Sequence, residues 1–310
     1  MGKTVELSIV ATIYNDYKLV VPLVDEIETH IKGLNITYEI ILVNDSSTDS
    51  SELEIRNVCD QNKKIKGISL ARNFGQQIAI SAGMYYTKGN YIIIMDGDLQ
   101  NPPSEIPKLY NEILKGYDIV YTVAKERDGL TNSITSKFFW FLIVKIFNVS
   151  IVKNQLMMKI MTNSFVSKYI QYSESIRSVE AIVRDISSNY SVLEINNNDR
   201  KIGRSHYNFL KRFNLFVDML ISLTNTPLNI MIYFGLFIFI CTMFLIVYNL
   251  YMYIIDKVPP GFTSLVLSIC FFGSLIILLL GFIGRYLSNI YTEVRRRPLF
   301  NVKNFYNLDI

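Results

Sequence analysis

Over the first 125 residues, apolar positions come in short runs that end in polar, acid-rich turns. Leu7 to Thr12, Tyr38 to Val43, Ile65 to Leu70, Tyr91 to Asp96 and Asp118 to Ala124 each read as a strand, being rich in β-branched residues and too short for helices. Helix-patterned segments separate them, one following Arg72-Asn73-Phe74-Gly75-Gln76 and running to about Lys88. Strands alternating with helices predict an α/β domain on a doubly wound, mostly parallel sheet. Ligands bind at the carboxyl edge of such sheets, so the turns that leave the strands carry the chemistry.

The fourth run is the most informative. Tyr91-Ile92-Ile93-Ile94-Met95 ends at Asp96-Gly97-Asp98, followed by Leu99-Gln100-Asn101-Pro102-Pro103. Two carboxylates this close repel one another, and an apolar strand leading into them points to a cation that neutralises both. Oxygen-only ligands suit Mg2+ or Mn2+ shared with a diphosphate, although the tripeptide alone fits a solvated turn equally well. A calcium loop opened by Asp96 is excluded, because Pro107 stands where its last carboxylate belongs. The second turn, Asn44-Asp45-Ser46-Ser47-Thr48-Asp49, offers acceptors to a base or ribose. Helix capping accounts for Asp49, which leaves Asp45 as the functional candidate. No Gly-x-Gly-x-x-Gly or P-loop pattern occurs, which weighs against dinucleotide and NTPase readings.

After Pro227 the pattern changes. Leu228 to Ile255 and Gly261 to Gly284 contain no charged residue, and each exceeds the roughly 20 residues needed to cross a bilayer. Joined by Asp256 to Pro260, they predict a C-terminal two-helix transmembrane hairpin. This is where the excess apolarity of the chain lies, half of whose residues are hydrophobic, with a mean hydropathy of +0.25. Lys211 and Arg212 precede the hairpin, and Arg285, Arg295, Arg296, Arg297 and Lys303 follow it. The positive-inside rule then places the N-terminal domain and both termini on the cytoplasmic side of the cell membrane. Ser133 to Phe147 and His206 to Leu223 mix aromatic with basic residues and predict amphipathic interfacial helices. The resulting domain plan is a catalytic domain over 1–205, an interfacial helix over 206–226, the hairpin over 227–288 and a basic tail over 289–310. No signal peptide is evident, and Glu6 stands where a myristoylation signal requires Ser or Thr. Cys59, Cys241 and Cys270 lack the spacing of a disulfide frame or zinc site. The net charge of +4 suits anionic lipid headgroups, and no nucleic-acid motif accompanies it.

These motifs, in this order, resemble the family 2 glycosyltransferases of GT-A fold, and within them the polyprenyl-phosphate glycosyltransferases. Tyr14-Asn15-Asp16 matches the family's Tyr-Asn-Glu, Asp45-Ser46-Ser47 its Asp-Gly-Ser, and Arg72-Asn73-Phe74-Gly75 its third-strand loop. Asp96 to Pro103 matches the metal motif and its following loop, Arg200 to Tyr207 an Arg-x-x-Gly-x-Ser-Lys-Tyr segment, and Arg297-Pro298-Leu299-Phe300 the tail after the second span. The resemblance implies that Tyr14, Asp16 and Asp45 hold a nucleotide, commonly uridine. Asp96 and Asp98 would hold the metal on its diphosphate, with Gln100 beside them. It implies an acceptor that is a membrane-bound polyprenyl phosphate. Lys125, Arg127, Lys137, Arg200 and Arg204 are the cations brought to its phosphate, with Ser205 and Tyr207 in the same segment. Asp98, Arg127 and Lys159 are the catalytic candidates.

Several positions depart from the family pattern. Thr12 replaces a Pro, Asn44 an acid and Ala124 an Arg, while Met157 and Lys159 stand where the family has Asp and Arg. The expected activity is the inverting transfer of one sugar, a hexose such as glucose, from a nucleotide sugar to polyprenyl phosphate at the cytoplasmic face, supplying a lipid-linked sugar for cell-surface glycans. A catalytically silent, membrane-anchored sugar-nucleotide-binding or scaffold protein is the competing reading, favoured by Met157. A processive polysaccharide synthase is disfavoured, since its Gln-x-x-Arg-Trp motif is absent and the single Trp is Trp140. Nothing in these motifs decides whether copies of the chain form a homo-oligomer.

Overall fold

The computed structural model describes residues 5–125, 155–172, 182, 185–195, 233–234, 237, 240, 244, 261–295 and 297–308. The chain divides into two compact units, one of Met1–Thr131, Ile151–Tyr207 and Arg297–Ile310, the other of Asn132–Ser150 and Asn208–Arg296. In the first unit β1 (Leu7–Ile13), α1 (Tyr17–Ile31), β2 (Tyr38–Asn44), α2 (Ser51–Gln61), β3 (Ile65–Leu70), α3 (Gln76–Tyr85), β4 (Tyr91–Asp96), α4 (Ile106–Ile113) and β5 (Ile119–Ala124) alternate as the pattern predicts. Then come β6 (Gln155–Thr162), α5 (Asn163–Gln171) and β7 (Tyr190–Ile195), with β8 (Val302–Tyr306) near the end of the chain. The described part of the second unit includes the long helix α6 (Phe262–Val294).

The eight strands form one sheet in the order β7-β5-β6-β4-β1-β2-β3-β8. Its centre, β4-β1-β2-β3, is parallel throughout. Helices cover both faces, as in a doubly wound domain. Ile9, Ala11, Ile40, Leu42, Ile93 and Met95 pack on one face with α1, α2 and α4. Val10, Ile41, Val43, Ile92 and Ile94 pack on the other with α3 and α5. Strands buried on both sides have no polar face, which explains why they appear in the sequence as mostly apolar runs rather than as alternating ones.

Two features differ from the sequence expectation. β5 does not lie beside β4, because β6 runs antiparallel between them and pairs with both. And residues 289–310, marked by charge only as a basic tail, hold the end of α6 and then β8, which pairs antiparallel with β3. Without β8 the carbonyls and N–H groups of β3 would face outward as an open edge. The amphipathic stretches 133–147 and 206–223 lie outside the described residues, as does all but a few positions of the first apolar span. Counted over the described residues alone, no helix is long and apolar enough to cross a membrane. α6 nevertheless runs for 33 residues, and its sequence is uncharged up to Gly284.

One charged pair is built into the sheet. Glu39 on β2 is 2% exposed and accepts from Ser8 Oγ at 2.5 Å and from the Lys88 N–H at 2.7 Å. Lys66 on β3 supplies its counter-charge in direct contact. A buried carboxylate that loses its cation keeps the full desolvation penalty. Lys66→Met is therefore expected to destabilise the domain by about 3 kcal/mol, with most of the loss recovered in the Lys66→Met/Glu39→Gln double variant. Chemical denaturation of the two variants checks this, and equal losses in both would contradict it.

Candidate functional site

The parallel order β4-β1-β2-β3 delivers four loops side by side to the carboxyl edge of the sheet. The first two are laced together. The Asp45 N–H donates to the carbonyl of Ile13 at 3.0 Å. Asn15, at φ 54°, accepts from the Thr48 N–H at 2.8 Å and donates its own N–H to Ser47 Oγ at 3.0 Å. The Asp16 N–H donates to Ser51 Oγ at 3.2 Å. Asp49 accepts from the N–H of Ser51 at 2.9 Å and from that of Tyr17 at 3.2 Å, so one carboxylate serves the first residues of both α2 and α1. Burial pushes its carboxyl up, but the bonds from Ser51 and Tyr17 outweigh that and hold it below the usual aspartate range. Capping therefore accounts for Asp49, as its position suggested.

Asp45 ties in the third loop. Its two oxygens accept from the N–H groups of Phe74 at 2.8 Å and Gly75 at 2.9 Å, at the entrance to α3. Gly75 has φ 90°, which a residue with a side chain adopts only under strain. Asp45 is buried, and burial raises its carboxyl above the usual value despite the opposing N–H bonds. The sequence reading gave Asp45 to a nucleotide, and here its carboxylate shapes the loop beside the edge.

The fourth loop carries the acidic pair. The Gly97 N–H donates to the carbonyl of Thr12 at 3.1 Å, pinning the loop to β1. Asp98 accepts from Gln100 twice, from its N–H at 3.1 Å and its side-chain Nε2 at 2.6 Å. Gln76, the first residue of α3, donates its side-chain amide to Asp96. Leu99 is buried at φ 60°, a left-handed conformation that reverses the chain between Asp98 and Gln100. Asn101 is 3% exposed, and its Oδ1 meets no donor. Among the described residues no group of three or more His, Cys, Asp or Glu is arranged for a metal. Two carboxylates with their orientation fixed by amides fit the other kind of site, in which Mg2+ or Mn2+ takes one or two carboxylates and completes its shell with water and phosphate oxygens.

The remaining candidates are placed as follows. Tyr14 is half exposed beside Asn15, and Asp16 immediately precedes α1. Lys125 is exposed at the end of β5. Lys159 is fully buried on β6, its Nζ 5.8 Å from the centre of the Tyr121 ring. The register sets Ile94 against Lys159, so strand alternation puts Lys159 and Met157 on the face of the sheet that carries Asp96. Arg127, Lys137, Arg200, Arg204, Ser205 and Tyr207 lie outside the described residues. Sequence reasoning missed Gln76 and Asn15, whose roles depend on contacts 20 or more positions away. Cys59 is buried, which pushes its thiol up to about 12 and removes it as a nucleophile.

The sequence profile of the family described as glycosyl transferase family 2 matches residues 8–171. Among curated proteins, the chain is 33% identical over 312 residues to uncharacterized glycosyltransferase sll0501 of Synechocystis sp., spanning 99% of this chain and 97% of the relative. It is 31% identical over 303 residues to an undecaprenyl-phosphate 4-deoxy-4-formamido-L-arabinose transferase of Pectobacterium carotovorum, spanning 96% and 92%. In fold it resembles the crystal structure of glucosyl-3-phosphoglycerate synthase from Mycobacterium tuberculosis in complex with UDP, with a TM-score of 0.50, 14% identity, and coverage of 70% of this chain and 79% of that one.

The packing around Gly97 yields a test of the acidic loop. A Cβ at this position would run into Ile13 Cδ1 and lie 2.7 Å from the Thr12 carbonyl oxygen, and the second is backbone that cannot step aside. Gly97→Ala is expected to cost about 1–3 kcal/mol in strain and to move Asp98, and if the acidic pair holds Mn2+ its affinity falls as well. Thermal melting and a Mn2+ titration followed by electron paramagnetic resonance measure the two effects. A variant that melts and titrates like the wild type would contradict the close approach.

Proposed function

The chain belongs to glycosyltransferase family 2, and from that premise we propose that it moves a single sugar from a nucleotide sugar onto a membrane-bound polyprenyl phosphate. The observation that carries this reading is the end-to-end similarity to a relative named for undecaprenyl phosphate, in a chain whose paired carboxylates stand at the carboxyl edge of the sheet. The acceptor phosphate oxygen attacks the anomeric carbon, the bond from that carbon to the diphosphate breaks, and the nucleoside diphosphate leaves with inversion. The donor is a uridine nucleotide carrying a hexose.

Asp96 and Asp98 hold Mg2+ or Mn2+, which when bound neutralises charge on the departing diphosphate. Gln76 and Gln100 fix the direction of the two carboxylates through their amides. Tyr14 offers an exposed ring to the base, with Asp16 and Asp45 on neighbouring loops. No side chain has to remove a proton from the acceptor, because a phosphate monoester has a second pKa of about 6 and arrives mostly dianionic. Lys125, Arg127, Lys137, Arg200 and Arg204 supply the positive charge that holds it.

A lipid acceptor requires this edge to work at a bilayer. Supporting that placement, α6 exposes Leu265, Ile269, Ile276, Leu280, Ile283 and Leu287, side chains that gain from lipid contact. Helical positions Tyr233, Phe237, Ile240 and Phe244 in the first apolar span are exposed as well. Since β7 and β8 belong to one sheet, the chain between them must leave and re-enter on the same side of any membrane it crosses. The number of crossings is then even, in keeping with a hairpin and with both termini in the cytoplasm.

The activity is tested by incubating membranes with radiolabelled nucleotide sugars and undecaprenyl phosphate. A labelled lipid is expected from one donor, falling on the order of 100-fold or more in Asp98→Asn while the variant still inserts. Undiminished wild-type transfer in excess chelator would refute the metal role. Topology is tested in a background with Cys59, Cys241 and Cys270 replaced by alanine. Lys257→Cys is expected to react with an impermeant thiol reagent on intact cells, and Lys108→Cys only after permeabilisation. The reverse pattern would overturn the orientation.

A further inference from the structure

The segment that follows α6 does more than cover an edge. β8 pairs with β3 from Gly67↔Tyr306 to Leu70↔Val302, with a register shift between Ser69 and Leu70. The pairing extends beyond β3, since the Ala71 N–H donates to the Asn301 carbonyl at 2.9 Å. Ala71 opens the loop whose far end, Phe74 and Gly75, is held by Asp45. The same segment meets the other end of α3, where the ring of Phe300 lies 6.1 Å from that of Tyr85 and the ring of Phe305 lies 5.1 Å from that of Tyr86. The tail thus grips both the loop that leads into α3 and the residues that end it. Between those grips, α3 carries Gln76 onto Asp96.

The clasp that holds the tail is specific. Glu52 on α2 accepts from Lys303 Nζ at 3.1 Å, Asn304 Nδ2 at 2.9 Å and Tyr306 Oη at 3.1 Å. Burial pushes the Glu52 carboxyl up, and the bonds from Asn304, Lys303, Ser69 and Tyr306 more than offset it, holding the group below the usual glutamate range. Asn307, at φ 54°, donates its side-chain amide to the Cys59 carbonyl at the end of α2 and to the Ile65 carbonyl at 2.9 Å, and accepts from Lys63 Nζ at 3.0 Å. Gly67 leaves room for the tail, since a Cβ there would lie 2.8 Å from Tyr306 Cδ2.

We infer that the C-terminal strand is a positioning element of the donor site: its docking on β3, secured by Glu52 and Asn307, sets the Arg72–Gly75 loop and the Gln76 amide against Asp45 and Asp96. Neither clasp residue touches substrate, and each acts through the loop. The inference rests on the transferase reading above for its kinetic consequence. Its structural consequence, a loop ordered by the tail, stands apart from that reading.

The test uses the full-length protein carrying Glu52→Ala with Asn307→Ala, and, as a milder variant that removes one of the three bonds from the tail to Glu52, Asn304→Ala. The double variant is expected to raise the KM for the nucleotide sugar about tenfold while the KM for undecaprenyl phosphate stays within about twofold, and Asn304→Ala to shift the same way by less. Hydrogen exchange is expected to speed up at residues 71–76 as well as at 302–306. Faster exchange at 302–306 alone, with the donor KM unchanged, would reduce β8 to an edge cover and overturn the inference. Should the wild type transfer sugar from no donor, the transferase reading fails, and exchange at 71–76 still decides the positioning claim either way.

Discussion

A loop leaving the end of a buried strand carries backbone N–H groups that no ladder can satisfy, and four such loops crowd the carboxyl edge of this sheet. The chain meets that constraint with short acidic and amide side chains. Asp45 takes two N–H groups from the third loop, Asp49 one from each of two helix starts, and Asn15 one from the second loop. All of these except the bond from Ser51 to Asp49 join loops from different strands, so the edge is ordered as a unit. Asp96 and Asp98 then sit on a surface whose neighbours are already fixed, the kind of preorganisation that charge stabilisation in a transition state requires.

Such an arrangement makes structure and chemistry hard to separate at single residues. Asp45 reads as a ligand for a nucleotide, and it also anchors Phe74 and Gly75. Gly97 reads as a spacer between two acids, yet its N–H and its missing Cβ are what allow β4 to end against Thr12. Loss of activity on changing either residue would not by itself separate contact with substrate from a shifted loop. Measurements of metal binding and of loop exchange make that distinction, because they report geometry without turnover.

The alternating centre of the fold was legible because its strands are buried on both faces and α1, α2 and α4 carry the apolar period of 3.6. β6 was not. Lys159 sits in the middle of Gln155–Thr162 and breaks the apolar run, although the residue is fully buried. β8 was hidden for a different reason. A five-residue strand with Lys303 and Asn304 in it has almost no local signal, and its partners on β3 and α2 lie some 240 residues away. In the site, the pairing of Asp98 with Gln100 was legible because the contact is local, two residues apart within one motif. Gln76 was not, since nothing in a helix start says which strand end it will face.

Met157 and Lys159 bring the electrostatics to one place. The family pattern pairs an acid with a base at these positions, and this chain has a neutral thioether and a base. Both lie on the face that carries Asp96, beside a strand whose register is fixed by its pairing with β4. Exchanging the acid for Met makes that face more positive by one charge, in a setting where charge is poorly screened. For a hydroxyl acceptor this would remove the general base that makes a nucleophile. For a phosphate acceptor the nucleophile is already an anion, and the same exchange lowers the repulsion it meets on approach. The substitution that most strongly suggests a silent protein is therefore compatible with catalysis when the acceptor brings its own negative charge, which ties the identity of the acceptor to the electrostatics of β6.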